Sequence, residues 1–159
     1  MTNCYFNLNT FFPSGNYTFS STIVPSPAYP SGVSYTGTAT VTSVANPCKP
    51  YKVSQLTIAT TGTISSTTVT STETFNSKCE KYSAISSGQY YFSGEYKISK
   101  KYYGSVQAKY KGFSQNYTRN VKGKTVYTIS TNGFTETIYY KIPYSCGYVP
   151  YQTTVYTRV

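Results

Sequence analysis

The chain has 159 residues and a net charge of +10, from 14 Lys and Arg against 4 Glu, with no His, Asp or Trp. That length suits one domain, residues 1–159, with a real core. With 26 Thr, 21 Ser, 20 Tyr and 12 Val against 2 Leu, 6 Ala and 1 Met, strand formers dominate and a helical or α/β fold is excluded.

Taken in chain order, residues 4–12 read as a strand with Cys4, Phe6 and Leu8 on one face. Pro13-Ser14-Gly15-Asn16 is a turn, and residues 17–24 return with Tyr17, Phe19 and Ile23 aligned. Residues 25–32 hold three prolines and form a loop. Residues 33–44 alternate, with Thr36, Thr38, Thr40 and Thr42 on one side and Val33, Tyr35, Ala39 and Val41 on the other. After the break at Asn46-Pro47-Cys48-Lys49-Pro50, residues 51–61 and 63–75 form two strands about Gly62.

In the second half, residues 89–99 put Tyr90, Phe92, Tyr96 and Ile98 on one face. Residues 105–113 turn Val106, Ala108 and Tyr110 inward and Gln107, Lys109 and Lys111 outward. Residues 125–142 form a hairpin about Asn132-Gly133, which sets Thr131 opposite Phe134, Ile129 opposite Glu136 and Tyr127 opposite Ile138. Residues 151–159 are a last strand. The expected fold is an all-β antiparallel β-sandwich of about nine to eleven strands, with a jelly roll as its variant.

The four cysteines, Cys4, Cys48, Cys79 and Cys146, lie far apart in sequence and are disulfide candidates. Cys4–Cys48 with Cys79–Cys146 is the favoured pairing, each bridge worth on the order of 4 kcal/mol. Disulfides imply an oxidising setting. No apolar run is long enough to span a membrane, and no secretory leader precedes residue 4.

Catalysis is read by elimination. Serine and cysteine triads need a His. The four acids, Glu73, Glu80, Glu95 and Glu136, fall on different strands and read as surface glutamates among lysines. No enzyme activity, metal or cofactor is expected. Asn16-Tyr17-Thr18 and Asn116-Tyr117-Thr118 are glycosylation sequons at Asn16 and Asn116.

Charge is uneven along the chain. Residues 2–48 carry no charged side chain. Residues 95–124 hold Lys97, Lys100, Lys101, Lys109, Lys111, Arg119, Lys122 and Lys124 against Glu95 alone. This implies two faces or two environments within one fold. The basic stretch, with Tyr102, Tyr103 and Tyr110 interleaved, is a candidate polyanion or glycan face. Its plain reading is a solvated strand face whose lysines deter stray edge pairing.

The neutral stretch points to assembly. Strands without charge would invite edge pairing unless another chain covers them. Tyr5, Phe6, Leu8, Phe11, Phe12, Tyr17 and Phe19 are the assembly-strand candidates, with copies of this chain or other subunits as partners. A leaderless, Tyr/Thr/Ser-rich, Asp- and His-free, all-β chain resembles β-rich virion proteins of viruses infecting thermophilic archaea, and extracellular filament subunits of such organisms. The resemblance implies a capsid, turret, tail or fibre role outside the cell. The alternatives are a glycan-binding adhesin or lectin-like module and a single-stranded nucleic-acid binder.

Overall fold

The computed structural model describes residues 8–25, 29–78, 80–85, 93–102, 105–114, 119–141 and 147–159. One helical turn, α1 (Leu8–Phe11), leads into ten strands. They are β1 (Gly15–Ile23), β2 (Val33–Asn46), β3 (Lys49–Ile64), β4 (Thr67–Asn76) and β5 (Glu80–Ile85), then β6 (Ser93–Tyr102), β7 (Ser105–Ser114), β8 (Arg119–Ser130), β9 (Gly133–Lys141) and β10 (Tyr148–Arg158). Each strand pairs antiparallel with its neighbours in sequence, and β1 pairs with β10. The all-β antiparallel expectation holds, but the sheet closes on itself as one barrel rather than folding into two packed sheets.

Closure also answers the edge problem. In a closed barrel β1 and β2 have partners on both sides, so their lack of charge leaves no exposed ladder. No companion chain is required to cover an edge, and that argument for assembly falls.

Alternation along each strand sorts the side chains to the two sides of the barrel wall. Tyr17, Phe19, Ser21 and Ile23 of β1 are buried, while Thr18, Ser20 and Thr22 are exposed. On β2, Ala39 and Val41 are buried and Thr36, Thr38, Thr40 and Thr42 are exposed, as the alternation predicts.

A ten-stranded barrel encloses more space than the eight-stranded kind that wall side chains can fill. Here the chain start fills it. Residues 8–12 are not a strand: Phe12 N–H donates to the Leu8 carbonyl (2.8 Å), closing a helical turn that plugs the lumen. Phe12 is fully buried, stacked on Phe75 (centroids 4.9 Å apart) and edge-on to Tyr127 (5.1 Å) and Phe134 (5.0 Å). Phe134 in turn stacks on Tyr156 at 4.5 Å. Such ring pairs add about 0.5–1.5 kcal/mol each beyond area burial. Leu8, Phe11, Phe12, Tyr17 and Phe19 are thus core residues and not an assembly strand; Tyr5 and Phe6 lie outside the described residues.

Two turns and one strand differ from expectation. The break placed at Gly62 lies at Ser65 and Ser66, both with positive φ (48° and 66°). Gly62 instead sits within β3 opposite Gly37. A Cβ at either would lie 2.9 or 2.7 Å from the Phe19 ring, so the glycine pair makes room for it. In the β8–β9 hairpin Thr131 and Asn132 form the turn, which pairs Ile129 with Phe134 and Tyr127 with Glu136. Gly133 presses against the Tyr156 carbonyl, where a side chain would collide. The pairing moves by two residues from the expected one, so every side chain keeps its face. Lastly, β5 went unread: a six-residue strand with two charged members gives little periodic signal.

Candidate functional site

Inside the barrel, one pleat from the aromatic layer, lies a charged cluster. Along β4 the inward series runs Phe75 then Glu73, and along β9 Phe134 then Glu136. Lys81 of β5 stands opposite Phe75 in register. Its ammonium lies 3.3 Å from Glu73 Oε1 and 3.7 Å from Glu136 Oε2. It also sits 5.1 Å over the Tyr127 ring, whose hydroxyl donates to Glu73 Oε2 (3.2 Å). Glu73, Lys81 and Glu136 are 8%, 1% and 4% exposed. The reading of Glu73 and Glu136 as surface glutamates is therefore wrong. Both share strand parity with buried rings, a signal that was present in the sequence.

Two carboxyls face one ammonium, and their protonation differs accordingly. Burial works against ionised Glu73. The Lys81 charge, with hydrogen bonds from Glu136, Lys81 and Tyr127, outweighs it and holds the carboxyl below its usual pKa. Burial, then the neighbouring Glu73 charge, pushes Glu136 well above the usual range. The two carboxyls therefore respond in opposite directions to one ammonium: Glu73 is held toward its ionised form and Glu136 toward its protonated form. Burial and then the two carboxylates also push Tyr156 well up.

A hydroxyl layer continues across β1, β10 and β2. Ser21 and Thr154 share a hydrogen bond (2.9 Å), and Gln152 Nε2 donates to Ser21 Oγ (2.7 Å) and to the Tyr35 hydroxyl (3.1 Å). Ser83 Oγ, opposite Glu73, and Thr125 Oγ1, two residues from Tyr127, are buried without a hydrogen-bond partner. Ser21 and Thr154 are buried and Gln152 and Tyr35 half-buried, so these bonds tie β1, β2 and β10 together on the inner side of the wall.

The outside of the barrel has two sides. Across β10, β1, β2, β3 and β4 one register row reads Thr157, Thr18, Thr38, Thr61 and Thr70. A shallow groove there is lined by Thr18, Ser20, Thr36, Thr38, Val155 and Thr157. Across β5 to β9 the rows are different. One reads Glu80, Lys97, Lys109, Lys124 and Tyr139; the next reads Tyr82, Glu95, Lys111, Lys122 and Lys141, ending on Tyr148 of β10. Lys122 and Lys141 are exposed. Lys124 lies over the rings of Tyr139 (5.1 Å) and Tyr148 (4.7 Å). The expected division into a neutral and a basic environment is thus a division between two sides of one barrel wall. Hydroxyls and lysines at these outward positions are the reverse of the apolar belt of a lipid-embedded barrel. Among the described residues no helix is long and apolar enough to cross a membrane.

The other expected site residues separate. Lys100 pairs with Gln107, beside the two rows. Lys101 pairs with Val106 and Tyr110 with Gly123, positions in register with the inner series of Tyr127 and Gly123. Tyr102 pairs with Ser105 at the β6–β7 turn, and Arg119 opens β8 opposite Ser114. Tyr103 and Asn116 lie outside the described residues. Asn16 is exposed at the start of β1, where its side-chain oxygen accepts from Thr40 (3.4 Å). Cys48 is an exposed free thiol in the β2–β3 turn, with its N–H donated to Asn46 Oδ1 (2.9 Å). The Cys4–Cys48 bridge is therefore not formed, because that turn holds Cys48 out at the barrel rim; Cys4, Cys79 and Cys146 lie outside the described residues. Among those described, no cluster of three or more His, Cys, Asp or Glu could hold a metal. No protein-family model, curated protein or solved structure matches the chain.

Proposed function

We propose that the chain is a non-enzymatic structural subunit of an extracellular assembly, such as a virion or surface filament, and that it meets neighbouring copies through its threonine side. The observation that carries this reading is the five-threonine row with its groove. Protein interfaces are depleted of Lys, Glu and Asp at their centres. A hydroxyl and methyl surface is cheaper to desolvate than a charged one. Val155, 44% exposed in the groove, supplies an apolar contact there. The mode differs from strand addition: closed barrels have no edges to share, so contact is wall to wall, at the roughly 10 Å spacing of stacked sheets.

Light scattering on a sizing column tests this. The expected result is an oligomer that Thr38→Lys, at the centre of the row, dissociates without unfolding. A monomer at every concentration, for the wild type, would overturn the reading.

A further inference from the structure

We infer that the lysine side of the barrel is a docking surface for a single-stranded nucleic acid. Two adjoining register rows across β5 to β10 bring together Lys97, Lys109 and Lys124 with Lys111, Lys122 and Lys141, against Glu80 and Glu95. Four pairs of lysines occupy directly opposed register positions across strands: Lys97 with Lys109, Lys109 with Lys124, Lys111 with Lys122, and Lys122 with Lys141. Like charges so placed destabilise a sheet.

Two ordinary uses of surface lysine do not account for them. Edge protection does not apply, because β7, β8 and β9 each have a strand on both sides. Solubility does not require one-sidedness, yet the threonine row carries no charge at all. Among the described residues Lys122 and Lys141 make no ion pair; the salt bridges there belong to buried Lys81. Lys122 and Lys141 thus carry exposed positive charge that no described acid offsets.

The spacing fits a phosphate chain. Neighbouring strands lie about 4.8 Å apart, and alternate residues along a strand about 6.7 Å apart. The rows run around a convex wall. A flexible single strand can follow that curve, whereas a duplex, with a persistence length of about 150 base pairs, touches it only along a line. Rings stand at the row ends for bases to stack on: Tyr82, 45% exposed, at one end, and Tyr148 and Tyr139 at the other. This proposal rests on the opposite side of the barrel from the assembly reading and stands or falls separately.

The test is fluorescence anisotropy of a labelled thirty-nucleotide oligothymidylate with the full chain, between about 50 and 300 mM salt. If four or five phosphates are neutralised, log K falls against log salt with a slope of roughly −3. The double variant Lys122→Glu/Lys141→Glu should bind at least about ten-fold more weakly and flatten the slope by about 1.4. Its circular dichroism and melting should match the wild type, because both side chains are exposed. Tyr82→Ala should weaken binding by about ten-fold and leave the slope unchanged. Absence of binding at the lowest salt, or undiminished binding by the double variant, overturns the proposal. So does tighter binding to a thirty-base-pair duplex, or equal competition by polyglutamate of the same charge, which would assign the surface to another partner.

Discussion

The aromatic and ionic layers of the lumen lie one pleat apart on the same strands, and they hold the barrel together by different physics. The aromatic layer of Phe12, Phe75, Phe134 and Tyr156 is close-packed and uncharged: it needs volume and ring contacts, and a side chain of similar size keeps most of its burial. The ionic layer of Glu73, Lys81 and Glu136 needs its partners. Charges withdrawn from water are held only by one another, and losing one leaves another stranded. The difference teaches that burial alone does not measure how sensitive a position is.

Substitutions can break or sharpen that contrast. The largest effect is expected from Lys81→Met, which strands Glu73 in the lumen and should cost about 3–5 kcal/mol in denaturant unfolding. Adding Glu73→Gln should recover part of the loss, because it removes the stranded charge. Phe12→Ala should cost a similar amount, about 3–5 kcal/mol, and Phe12→Leu less, about 1.5–3, because Leu keeps most of the volume but loses the three ring pairs.

The pH profile separates the layers further. Glu73, with its pKa lowered, contributes stability that is present above its unfolded value of about 4.5 and lost as pH falls through the folded value. Glu136, with its pKa raised, contributes stability that is complete below about 4.5 and lost as pH rises through the folded value. Thermal melts across pH should therefore show Glu136→Gln increasingly stable relative to wild type above pH 4.5, with the advantage gone in acid. A Phe12→Leu variant should run parallel to wild type throughout.

Two small effects close the series, one of them a gain. Thr125→Val keeps the shape and removes a buried hydroxyl that has no partner, so it should be neutral or stabilising by about 1 kcal/mol. Thr38→Val on the outer wall should stay within about 0.5 kcal/mol.

Much of this was legible from residue order. The Thr36-to-Thr42 alternation placed four threonines outside and Ala39 and Val41 inside, as the burial confirms. The candidate sites were less legible. Lys109 and Lys111 were assigned outward, but their alignment with Lys97, Lys124, Lys122 and Lys141 depends on three separate strand registers. Glu73 and Glu136 looked like surface residues because charged side chains almost always are, and Lys81 lies on β5, which gave too little periodic signal to be read.

By itself, then, the residue sequence determined strand content, the alternating parity of side chains along most strands, and the segregation of charge. These are local properties, set by backbone propensity and a two-residue repeat. Tertiary structure alone decided that β1 meets β10, that residues 8–12 turn into the lumen as a plug, and that three charged side chains share one enclosed space. Parity tells a residue which of two faces it occupies; only closure between strands more than a hundred residues apart decides which face is sealed from water.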